Sequence, residues 1–92
     1  MNAYLLLYDR GIDHPALRKV LDNDPNIKDW FKAFPSSYFI VSNLDANKLI
    51  RVFSTVMNGA NFFITQIETD PAKTNGLMSA EDWDFILYPM EG

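Results

Sequence analysis

The carboxylate best placed for chemistry is Asp9, which ends the apolar run Tyr4-Leu5-Leu6-Leu7-Tyr8. A strand end is a place where a hard oxygen ligand can meet a divalent cation, so Asp9 is the candidate catalytic and metal-binding residue. One carboxylate does not hold such an ion alone, and an aspartate before Arg10-Gly11 is also an ordinary turn residue. His14 is the single histidine and stands beside Asp13, where a general base is conceivable and a capping role is commoner. Ser36, Ser37 and Ser42 lie in no nucleophile-elbow pattern, so no hydrolytic triad is expected. The glycines at 11, 59, 76 and 92 are isolated, which excludes a phosphate-cradling glycine loop. Asp82 and Asp84 have a spacing that sends them to different sides of a helix, where acids in a first turn complement the helix dipole.

Composition narrows the chemistry further. With no cysteine there is no disulfide, thiolate metal site or thiol nucleophile, and a reducing compartment fits. The net charge of -4 is uneven: Met1 to Val56 carries seven bases and six acids, and Met57 to Gly92 carries one base and six acids. A nucleic-acid clamp requires a basic stripe, whereas Arg10, Arg18, Lys19, Lys28, Lys32, Lys48 and Arg51 are scattered, so tight nucleic-acid binding is not expected. The opening residues carry no basic stretch, and their apolar run is too short for a signal peptide or a membrane span. The expectation is a cytoplasmic protein with no membrane association.

These residues must be positioned by a small set of elements. At 92 residues the chain fits one domain, 1-92, and a 48% apolar content with 14% aromatics suits a dense core plus apolar surface kept for a partner. Ala3 to Tyr8 is apolar on both faces and reads as a central strand. Asp13-His14-Pro15 then opens an amphipathic helix bearing Leu17, Val20 and Leu21, and Asp22 to Asn26 stops it.

Ile27 to Phe34 is ambiguous, since Ile27, Trp30, Phe31 and Phe34 have helical spacing while Trp30, Lys32 and Phe34 would share one strand face. Periodicity slightly favours a helical turn; an extended segment would instead make a hairpin with the strand Tyr38 to Ser42. Asp45 caps a second helix with the stripe Leu49, Phe53, Val56 and Met57, ended at Asn58-Gly59. Phe62 to Ile67 reads as a strand and Asp70 to Gly76 as a loop. From Ser79 a capped final helix places Trp83, Ile86 and Leu87 on one face, and Tyr88-Pro89 ends it.

This order predicts an α+β, ferredoxin-like β-α-β-β-α-β sandwich: a four-stranded antiparallel sheet, two helices on one face and a short C-terminal helix. Its second sheet face needs cover from the terminal helix or from another copy of the chain, so a homodimer is expected. Tyr38, Phe39, Phe62 and Trp83 are the candidate interface residues, their rings being better suited to core and interface than to base stacking.

Tyr4-Leu5-Leu6-Leu7-Tyr8-Asp9, the stretch from Trp30 to Ser37-Tyr38-Phe39-Ile40-Val41, and the Leu44-Asp45-Ala46 to Phe53 helix together carry a resemblance. The chain resembles the SinR-family proteins of bacteria and phage, small relatives of the second CRISPR-associated protein with its ferredoxin-like fold. In the CRISPR family the first strand similarly ends in Tyr-Asp, matched here by Tyr8-Asp9. The resemblance implies either a scaffold or a metal-dependent nuclease in which the acids of two protomers share a divalent ion. Arg10 stands where that family has an apolar residue, and a helix replaces its exchanged last strand.

Two functional expectations follow. The first is a noncatalytic dimeric interaction module of the SinR and CRISPR-adaptor-like group, acting through protein contacts in a mobile-element or defence context and needing no cofactor. The second is an endonuclease using paired Asp9 carboxylates across a dimer, with Mg or Mn bound.

Overall fold

The computed structural model describes residues 1–9, 12–57, 59–70, 73, 75–76 and 78–87. The expected turn at Arg10-Gly11, the helix stops at Asn58 and at Tyr88-Pro89, and residues 71, 72 and 74 of the 70–76 loop lie outside the described residues. Seven elements follow in order: β1 (Asn2–Tyr8), α1 (His14–Asn23), β2 (Ile27–Phe31), β3 (Ser37–Ser42), α2 (Ala46–Ser54), β4 (Phe62–Gln66) and α3 (Ala80–Leu87).

The strands form one antiparallel sheet in the order β2-β3-β1-β4, with β1 in the interior as its two-sided apolar run requires. Alternation along the strands sorts side chains onto two faces. Tyr4, Leu6, Tyr8, Tyr38, Ile40 and Ile64 form a core with Leu17 and Leu21 of α1 and Leu49 and Phe53 of α2. Leu5, Leu7, Phe39 and Phe63 take the other face by the strand register.

Capping begins the helices where the sequence places it. Asp13 accepts from the Ala16 N–H at 3.1 Å and Asp45 from the Lys48 N–H at 2.9 Å, each satisfying a donor that a helix start leaves without a partner. The Ser79 hydroxyl accepts from the Asp82 N–H at 3.1 Å and so begins α3. The regular turns of α2 end at Ser54, before the expected stop, and the chain tightens through a bond from the Val56 N–H to the Phe53 carbonyl at 3.1 Å. Gly59 then takes a φ of 77°, a left-handed geometry that a glycine adopts at little cost.

The 27–34 segment departs from the helical turn that periodicity slightly favours, because Ile27–Phe31 is an edge strand paired with β3. The register shifts between Ile27 and Asp29, a β-bulge that inserts one extra residue. Ile27 belongs to the core and Trp30 packs against it, although an uninterrupted strand would send residues three apart to opposite faces. The bulge thus reproduces the i, i+3 spacing of a helix. The Trp30 indole N–H donates to Asp22 at 3.1 Å, and the Arg18 guanidinium lies 4.7 Å from the ring centre, which ties α1 to β2.

α3 covers the middle of the second face. Phe85 meets Phe31 edge-on at 4.7 Å, Phe31 stacks on Phe39 at 4.7 Å, and Ile86 is buried. The terminal helix is therefore one of the two covers that the sequence calls for.

Candidate interaction surface and the Asp9 hollow

The cover is incomplete at one end of the second face. Leu7 and Phe63 are direct cross-strand partners, and Leu7 also pairs with Ser37 at the start of β3. Phe34 lies just before that strand with its ring 6.2 Å from Phe39. Leu7, Phe34 and Phe63 are 42%, 50% and 58% exposed and make an apolar strip from the segment before β3 to β1 and β4. Sequence reasoning placed these residues in elements and missed their exposure, because strand alternation gives the face of a residue and not how far a covering helix reaches.

Asp9 stands at the end of this strip. Its backbone N–H donates to the Asn61 carbonyl at 3.1 Å, which continues the β1–β4 ladder past Tyr8, while its side chain is exposed. Leu7, Tyr8, Asp9, Asn61, Phe62 and Phe63 line a shallow hollow of about 260 Å³ here. Among the described residues no three His, Cys, Asp or Glu side chains gather as metal ligands. Any ion at Asp9 would therefore draw ligands from solvent, substrate or a second chain.

The candidate interface residues divide between the faces. Tyr38 is buried in the core and Phe62 packs against it, on the helix side. Phe39 is buried under the aromatic stack on the other side, and Trp83 of α3 lines a cleft there with Phe34, Phe39 and Ile86. His14 is exposed at the start of α1 with its ring edge-on to Tyr8 at 5.7 Å, while Asp13 is committed to the cap.

A polar cluster not anticipated from the sequence closes the adjoining end of the core. Lys32 reaches back so that its Nζ donates to the Tyr8 hydroxyl at 2.8 Å and to the Ser37 carbonyl at 3.4 Å. The same ammonium lies 4.5 Å from the Tyr38 ring centre and 5.3 Å from that of Tyr8. Burial raises the Tyr8 phenol above its ordinary value, with a hydrogen bond to Tyr38 pulling the other way.

Because the folded state holds the Tyr8 proton more tightly than the unfolded state, its contribution is complete below the ordinary tyrosine range near 10.0 and lost as pH rises through the raised value. Urea titrations from neutral pH to beyond about pH 10 should show this alkaline loss of stability. Tyr8→Phe should flatten the slope. An unchanged slope would assign the alkaline loss to other groups.

The fold is a ferredoxin-like α+β sandwich with a helix laid over its second face. No protein-family model, curated protein or solved structure matches the chain. Among the described residues no helix is long and apolar enough to cross a membrane.

Proposed function

We propose that this chain is a noncatalytic, dimeric interaction module of the SinR and CRISPR-adaptor-like group, working through protein contacts in a mobile-element or defence context. The observation that carries this reading is the strip of Leu7, Phe34 and Phe63, which leaves large apolar side chains in water beside a covered core. A partner surface that removes them from water gains about 25 cal/mol for each Å² of apolar area. The first partner considered is a second copy of the chain. Light scattering should show a mass that rises with protein concentration, and Phe63→Ser should lower association by at least about tenfold while the fold is retained. A wild-type protein that stays monomeric at high concentration would defeat the dimeric reading.

The exposed position of Asp9 in its hollow favours a second reading, an endonuclease in which Asp9 from two chains holds Mg or Mn. On the noncatalytic reading, purified protein leaves single- and double-stranded DNA and RNA intact with either ion, and Asp9→Ala is indistinguishable from wild type. Metal-dependent cleavage lost in Asp9→Ala would establish the nuclease instead.

A further inference from the structure

The strand order leaves two edges, and they differ in kind. β2 presents Lys28, Asp29 and a register shift, features that discourage another strand from pairing there. β4 has no register shift against β1, and Asn61 to Ile67 contains no charge and no proline. A regular, uncharged edge of β-branched and aromatic residues is a template for strand addition.

The bonds of β4 to β1 fix the direction of its outward backbone groups. The Asn61 carbonyl accepts from Asp9 N–H and the Ile67 N–H donates to the Ala3 carbonyl, so the odd-numbered residues of this stretch face β1. Backbone groups alternate along an antiparallel strand, so Phe62, Ile64 and Gln66 aim their N–H and C=O away from β1. Among the described residues no strand lies on that side.

Resting on the dimeric reading above, we propose that two copies join edge to edge through β4, antiparallel about a two-fold axis at Ile64, to make one continuous sheet. In this register Phe62 of each copy pairs with Gln66 of the other and Ile64 pairs with itself, so every outward N–H and C=O finds a partner. A second copy is the occupant argued for because the strand is compatible with its own antiparallel image: no charge meets a like charge anywhere along Asn61 to Ile67. Face-to-face packing is the weaker alternative, since α3 already occupies the middle of the second face.

The geometry also bears on Asp9. With about 3.3 Å of rise per residue and about 4.8 Å between strands, the two Asp9 residues of this dimer stand more than about 20 Å apart. They cannot share a metal ion.

The decisive variant is Gln66→Pro. It removes an outward N–H that β1 does not use, at an exposed edge position where proline is tolerated. Light scattering at low and high concentration should show dimerisation weakened by at least about tenfold relative to wild type. Hydrogen exchange on the unaltered chain gives an independent reading: the Phe62, Ile64 and Gln66 amides should gain protection as concentration rises. A dimer that survives Gln66→Pro but is lost in Phe63→Ser would overturn edge pairing and leave the interaction module standing. A wild-type monomer would remove edge pairing and the dimeric reading together. If Gln66→Pro fails to fold, the exchange experiment decides, and amides that remain unprotected under dimer-forming conditions refute the proposal.

Discussion

Replacing Phe53 by alanine should lower the unfolding free energy by about 3–5 kcal/mol, the usual loss for a buried phenylalanine when apolar transfer and cavity terms add. Phe53 is fully buried in the core that the sheet forms with α1 and α2. A domain of this size has about 5–15 kcal/mol of stability to lose, so the variant should unfold at far lower urea concentration or be unfolded at the outset. Phe63→Ala provides the contrast. That ring is 58% exposed and pairs with Leu7, so its loss from the monomer should cost no more than about 1 kcal/mol. Urea denaturation of both variants at low concentration is the check, and equal losses would show that the burial assigned to these two rings is wrong. The same comparison establishes that position 63 can be altered in binding experiments without unfolding the chain.

The second large effect should come from a small polar side chain. The Ser42 hydroxyl donates to the Asn26 carbonyl at 2.6 Å and accepts from the Leu44 N–H at 3.0 Å, and the residue is fully buried at the end of β3. It thereby joins the entry to β2 with the entry to α2. Ser42→Ala should cost about 2–4 kcal/mol, because two main-chain groups lose their partner where water does not readily replace it. Ser54 serves as the control: its hydroxyl donates to the Ile50 carbonyl at 2.6 Å on an exposed helix surface. Ser54→Ala should be nearly neutral, since water can replace that bond. A Ser42→Ala protein as stable as wild type would mean that the backbone around Asn26 and Leu44 relaxes to satisfy itself.

If the edge-paired dimer forms, its consequences reach beyond oligomeric state. Its two-fold axis stands normal to the sheet, so the Leu7 and Phe63 surfaces of both copies face the same way. Phe63 of each copy would stand across from Thr65 of the other, so the dimer would cover that part of the strip and leave Leu7 and Phe34 for a further partner, and the two Asp9 sites would be separate. The mass measurement and the nuclease assay are therefore linked: an edge-paired dimer that cleaves nucleic acid would need each Asp9 to act with its own ligands.

Much of the architecture was legible in the sequence because local rules and the tertiary fold agree there. Ala3 to Tyr8 is apolar on both faces and becomes the interior strand β1, flanked by β3 and β4. Asp13, Asp45 and Ser79 begin their helices because their side chains satisfy backbone donors within a few residues, an interaction that needs no distant partner. Of the stripe Leu49, Phe53, Val56 and Met57, three are buried and Val56 packs half-buried against the core.

Where local spacing is degenerate, tertiary structure decided. Ile27 and Trp30 share a helical interval, but pairing with β3 and one bulged residue give that interval to a strand. Phe39 and Phe63 are alike as aromatic strand residues on one sheet face; α3 and the Phe31 stack bury the first and leave the second in solvent. Lys32 reads as an isolated surface cation until the fold brings Tyr8 of β1 and Tyr38 of β3 beneath its ammonium. Asp9 was legible as a strand-end acid, and only the assembled sheet shows Asn61, Phe62 and Phe63 around it. Sequence by itself determined the elements and their apolar faces, because those follow from the geometry of a few consecutive residues. Tertiary structure alone decided which apolar groups stay exposed and which sheet edge stays open, because both depend on contacts between segments distant along the chain.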